Sequence, residues 1–192
     1  MRIYLAGPEV FLREAPLLLK AKKDLCTQYG YEGVSPFDAD IGELRNDWDT
    51  GIRIAKANEQ LIESCQAVIA NITPFRGQNA DVGTVYEIGY AKGRNLRIFA
   101  YSHGKALHAE RIAKDLFYDH VKPDNGFYRD SFWGTLIDDF GMVENAMVDG
   151  GVHLSGGRVF VKEMRGATIK EQLQSLEGFK LCLDAIKMSL EV

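Results

Sequence analysis

Across roughly the first hundred residues, short β-rich runs alternate with longer stretches of helical spacing, each bounded by Gly, Pro or Asp. The pattern predicts strands at Ile3–Ala6, near Glu32–Ser35, at Ala67–Ile72 and at Leu96–Tyr101. Between them it predicts helices over Ala15–Tyr29, stopping at Gly30, over Thr50–Cys65, and over Val82–Lys92, stopping at Gly93. Short strands joined by crossover helices pack as a parallel sheet with helices on both faces. Ligands of such sheets bind beyond the carboxyl ends of the strands, here Gly7-Pro8-Glu9, Pro36-Phe37-Asp38, Thr73 to Asp81 and Ser102-His103-Gly104. Further on, Arg158–Lys162 reads as a last strand. Ile169, Leu173, Leu176, Leu183 and Ile186 recur at helical spacing, so one C-terminal helix is expected to close the sheet. From Lys105 to Gly141 the pattern is irregular and aromatic-rich, which suits an active-site cover or an intersubunit surface.

At 192 residues the chain has room for one domain with a real core, and a single domain over 1–192 is expected. The formal net charge of -4 gives no overall electrostatic reason to bind a polyanion and no Lys/Arg run forms a basic stripe, so neither nucleic acid nor an anionic membrane is an expected partner. Three widely spaced cysteines, Cys26, Cys65 and Cys182, form no disulfide framework or metal motif, and a reducing cytosol is the expected compartment. Strand-like sequence from Arg2 onward leaves no room for a signal peptide, and no apolar run approaches membrane-spanning length. The four histidines show no ligand spacing, and neither a G-x-G-x-x-G nor a Walker loop is present. No metal and no cofactor are expected.

The segment Asn71 to Gly93 ends one predicted strand and enters a helix holding a single acid, Glu87. Asp81 is a good N-cap there. Thr84-Val85-Tyr86-Glu87 fits a capping box if the helix begins later. Against a purely capping role stand Gly83 and Gly89, which flank Glu87 although Gly inside a helix costs roughly 1 kcal/mol. Such glycines suggest that a ligand approaches the backbone beside Glu87.

Three stretches taken in order carry a resemblance: Ile3 to Pro8 (IYLAGP), Cys65 to Gly77 (CQAVIANITPFRG) and Asp81 to Ala91 (DVGTVYEIGYA). Over about residues 1–101 the chain resembles the nucleoside 2-deoxyribosyltransferase family, with a weaker echo at Asn145 to Gly150. The resemblance implies a flavodoxin-like doubly wound sheet of about five mainly parallel strands with helices on both faces. It implies exchange of bases between deoxynucleosides by double displacement, with Glu87 as the nucleophile that forms a glycosyl ester. It further implies that the Tyr4 hydroxyl holds that carboxylate, although Tyr4 also reads as an ordinary buried strand aromatic. Asp81 would read or protonate the base, beside its capping role.

One family branch has a further Asp on the preceding helix where this chain has Asn58, and an amide donates no titratable proton. Asn145 and Asp149 match a segment in which a neighbouring subunit binds the 5′-hydroxyl, which implies a homo-oligomer whose site a neighbour completes. As plain sequence, Asp149-Gly150-Gly151 is a turn signal. Gly7 and Gly83 are expected beside the substrate, and Phe11, with Phe37 and Phe75, is a candidate for stacking on the base. Arg76 invites a phosphate, yet the acid and proline of Gly7-Pro8-Glu9 favour a free nucleoside. Arg76 is then expected to pair with Asp38, Asp40 or Asp81 and hold the loop closed. Two rivals stand beside this reading: a nucleoside or nucleotide N-glycosidase, which shares these residues but takes water as acceptor where transfer would need a closed site with Phe117 to Trp133 as a candidate cover, and a nucleoside-binding module without turnover, in which Glu87 is only a cap.

Overall fold

The computed structural model describes residues 1–104, 107–113 and 121–190. Five strands form one parallel sheet: β1 (Arg2–Ala6), β2 (Glu32–Val34), β3 (Ala67–Asn71), β4 (Arg97–Ser102) and β8 (Val159–Val161), in the order β2-β1-β3-β4-β8. The expected doubly wound architecture is the one found. Helices α1 (Ala15–Gln28), α2 (Trp48–Glu63) and α3 (Val82–Gly93) are the crossovers of the first four strands.

Period-two alternation along the strands explains the two layers. Tyr4, Ala6, Val68, Ala70, Ile98 and Ala100 face one side, where Ile62 of α2, Ile88 and Ala91 of α3, and Val148 and Val152 of α5 (Ala146–Leu154) complete a core. Ile3, Leu5, Ala67, Ile69, Phe99 and Tyr101 face the other. There they meet Cys26 of α1 and Phe179, Cys182, Leu183 and Ile186 of α7 (Glu177–Met188). Every cysteine is buried with a free thiol. Among the described residues, no helix is long and apolar enough to cross a membrane.

Two expectations are corrected. The single C-terminal helix is two, α6 (Ile169–Gln174) and α7, because Ser175 is extended and breaks the run. Thr168 and Glu171 close a capping box at the start of α6. The stretch from Lys105 to Gly141 holds more order than its pattern suggests. A short helix α4 (His108–Arg111) is followed by an antiparallel sheet of β5 (Val121–Asp124), β6 (Phe127–Asp130) and β7 (Leu136–Ile137). Asn125 and Gly126, both at positive φ, make the two-residue turn of its hairpin, the strongest short-range hairpin signal a sequence offers. Phe117 and Tyr118 of the aromatic stretch lie outside the described residues.

Candidate active site

Strand order places the site. From β1 the chain runs through α1 to β2 on one side, then through α2 to β3 on the other side of β1, so the loops after β1 and β3 diverge. A crevice opens at such a switch point. Here it is a cavity of about 600 Å³ lined by sixteen residues from the loops after β1, β2 and β3, from α2, and from the start of α3. Its walls are largely apolar, with Phe11 and Phe37 at the rim and Leu44 and Ile54 beside them. Asp40, Asn58, Asp81, Thr84 and Glu87 are its polar side chains. Among the described residues, no Lys or Arg lines it.

Glu87 lies in the second turn of α3, half-buried and facing the cavity. Tyr4, fully buried on β1, donates its hydroxyl to Glu87 Oε1 at 2.6 Å. Burial pushes the Glu87 carboxyl up to about 7; the Tyr4 hydrogen bond opposes this and the nearby Asp81 charge adds to it. Burial, the Glu87 charge and the shared hydrogen bond push the Tyr4 phenol well above its ordinary value, so it stays a donor. A desolvated carboxylate held by one phenol and open to a cavity is an arrangement for nucleophilic attack or proton transfer.

Asp81 is the N-cap of α3, its Oδ2 accepting from Thr84 N at 2.9 Å and Thr84 Oγ1 at 3.1 Å. With the helix starting at Val82, the alternative capping box from Thr84 to Glu87 does not exist, and Glu87 is free of any capping duty. Gly83 lines the cavity, and a Cβ there would meet Asp81 Oδ2 at 3.1 Å. Gly89 is different: it is not among the residues that line the cavity, and a Cβ built on it would meet none of the described residues within 4 Å. Gly7 is constrained from below. A Cβ there would sit 2.3 Å from the Glu9 carboxylate, which folds beneath it to pair with Lys22 and to accept from Asn71 Nδ2 at 3.0 Å.

Arg76 takes none of the expected carboxylate partners. At φ 54° its guanidinium rests over Phe11 (4.8 Å) and Phe75 (4.7 Å), whose rings stack 5.5 Å apart. Asp38 pairs with Lys23 and accepts from Ser35 N, and Asp40 accepts from Gly42 N, so those acids are engaged elsewhere. Arg76 thereby holds the aromatic rim from outside the cavity.

Asn145 and Asp149 do not line the cavity of their own chain. Asn145 is the half-exposed N-cap of α5, accepting from Met147 N at 3.0 Å and donating to Asp138 at 2.8 Å. Asp149, with Gly150 and Gly151, lies inside α5, so the turn reading is overturned. Its buried carboxylate accepts from Val143 N at 2.8 Å and faces His153 at 3.3 Å.

The described part of the stretch Lys105–Gly141 lines none of the cavity either. It acts on the site from behind. Arg111, buried at the end of α4, donates to Gln78 O, Val143 O and Glu144 Oε2, each at 2.8 Å. Glu144 in turn accepts from Ala80 N at 3.3 Å, and His108 Nε2 lies 2.9 Å from Asn79 Oδ1. This buried pair fixes the residues just before Asp81, and no local pattern in the sequence announced it. Among the described residues, no three His, Cys, Asp or Glu side chains are grouped to hold a metal ion.

The family model for nucleoside 2-deoxyribosyltransferases matches residues 3–147. An uncharacterized protein of Schizosaccharomyces pombe is 29% identical over 170 residues, covering 83% of this chain and 80% of its own length. A 2-desoxiribosyltransferase from Leishmania mexicana superposes with a TM-score of 0.62 at 22% identity, over 95% of this chain and 97% of that one. A conserved protein from Enterococcus faecalis V583 superposes with a TM-score of 0.56 at 16% identity, over 98% of both chains. At these identities the two structural likenesses speak for the fold.

Proposed function

Since the chain belongs to the nucleoside 2-deoxyribosyltransferase family, we propose that it exchanges the base of a 2-deoxynucleoside by double displacement through Glu87. The observation that carries this reading is the 2.6 Å bond between Tyr4 and a half-buried Glu87 facing a cavity at the strand ends. The base lies between the aromatic rim and Leu44, with C1′ over Glu87. A Glu87 carboxylate oxygen bonds to C1′ as the C1′–N bond breaks through an oxocarbenium-like transition state, and the departing nitrogen takes a proton from Asp81. A second base then attacks C1′, expels the carboxylate, and returns its N–H proton to Asp81.

Asn58 lines the same cavity as a neutral hydrogen-bonding side chain and supplies no titratable proton, a part given in this reading to Asp81. That no Lys or Arg among the described residues lines the cavity favours a free nucleoside over a nucleotide. For a site completed by a neighbouring subunit, half-exposed Asn145 remains a candidate; the buried Asp149 does not.

The test is incubation of the protein with a panel of deoxynucleosides, with and without a second free base, with products separated by chromatography. A new deoxynucleoside formed only with the second base, and absent with Glu87→Ala, is the expected result. Base release at one rate regardless of acceptor makes the protein a hydrolase, and silence with retained nucleoside binding makes it a binding module.

A further inference from the structure

We propose that Arg53 sets the choice between a base and water as acceptor, by latching the loop 39–44 over the glycosylated site. This rests on the base-exchange reading above.

The loop supplies five of the sixteen cavity-lining residues, Ala39, Asp40, Ile41, Gly42 and Leu44, more than any other segment. It is built as a turn. Asp40 Oδ1 accepts from Gly42 N at 3.0 Å, and Gly42 takes φ 68°, a conformation that strains other residues. What fixes it to the rest of the molecule is polar. The Arg53 guanidinium donates to Ile41 O, to Glu43 O at 3.0 Å and to Thr50 Oγ1 at 2.9 Å. Thr50 Oγ1 also accepts from Arg45 N at 3.3 Å, and Asp47 Oδ1 from Thr50 N at 2.8 Å. Apolar packing gives little help, because residues 51–56 of α2 are exposed and Leu44 is 68% exposed. One planar five-donor cation thus joins the loop to the helix that carries Ile54 and Asn58 into the cavity.

The consequence follows from the chemistry of the ester. After the first base leaves, the Glu87–C1′ ester has two fates. Attack by a base nitrogen forms N–C1′, frees the carboxylate and gives the base N–H proton to Asp81. Attack by water forms O–C1′, frees the carboxylate and gives one water proton to the same acid, releasing deoxyribose. Keeping bulk water out while a base occupies the cavity favours transfer. Freeing the loop admits water.

The experiment compares wild type, Arg53→Met, Arg53→Lys and Arg45→Ala at saturating deoxynucleoside with a second base, quantifying new deoxynucleoside and free deoxyribose. Arg53→Met is expected to raise the ratio of release to transfer about tenfold, the scale of losing charge-assisted hydrogen bonds. Arg53→Lys recovers part of the wild-type ratio, since an ammonium reaches fewer of the three oxygens. Arg45→Ala keeps the wild-type ratio, because among the described residues its guanidinium meets only the exposed Glu43 side chain and none of the loop carbonyls. An unchanged ratio in Arg53→Met, whether both rates stay or fall together, overturns the proposal. A wild type that transfers no base to any acceptor removes the base-exchange reading itself, an outcome visible before any variant is compared.

Discussion

The proposed mechanism gives two side chains around Glu87 separable jobs, and conservative substitutions tell them apart. Tyr4→Phe removes only the hydroxyl that holds the carboxylate. Its loss should lower kcat by about 10- to 100-fold, the range of a hydrogen bond to a charged group, while nucleoside affinity changes little. Initial-rate kinetics beside direct binding measure the split, and unchanged turnover would take Tyr4 out of the mechanism. Asp81 caps α3 and is proposed as the acid, so Asp81→Ala would confuse the two roles. Asparagine caps as well as aspartate, accepting from Thr84 N, but gives up no proton. Asp81→Asn should therefore keep its thermal midpoint while turnover of a deoxynucleoside falls about 10²- to 10⁴-fold. A large stability loss with turnover intact would leave the cap as the only role.

At the scale of elements, the segment that resisted sequence reading holds the loop between β3 and α3 from behind. Arg111 and Glu144 are both about 2% exposed, so removing one leaves the other charged and buried. Glu144→Ala should cost about 3–5 kcal/mol in denaturant unfolding. The double variant Arg111→Met, Glu144→Met should cost less than the sum of its singles. Additive losses would mean that the pair is not coupled. The physical reason this cluster escaped prediction is its sequence spread: Gln78, Ala80, Arg111 and Glu144 meet across separations of 33 to 64 residues, which no local pattern encodes. The strands and crossover helices, by contrast, carry their own periodicity, and so did Glu87 and Tyr4 through the order of three motifs. Arg76 shows the opposite case. Its charge suggested a carboxylate, but Phe11 and Phe75 offered a stacked aromatic edge nearer to hand. The tie of loop 39–44 to α2 was illegible for another reason: Arg53 binds backbone carbonyls there, which leave no trace in side-chain patterning.

At the scale of the whole molecule, burying the Glu87 carboxyl has a cost in stability. Glu87 titrates at about 7 when folded against an ordinary 4.5, so the native state binds a proton more tightly than the unfolded chain does. The stability this gives is complete below the ordinary value and is lost as pH rises through about 7. Glu87→Gln keeps an oxygen for Tyr4 and does not titrate. It should thus match wild type near pH 4 and exceed it by roughly 2–3 kcal/mol at pH 8, as read by unfolding at both pH values. Equal stability at both would mean that the acid is not destabilised in the fold.

The most direct measurement is acid quenching of the protein soon after mixing with a deoxynucleoside alone, followed by peptide mass analysis. The account predicts one added 2-deoxyribosyl group, on the peptide containing Glu87, that disappears when a second base is supplied. Turnover with no sugar on that peptide, and with the same yield from Glu87→Gln, would contradict it.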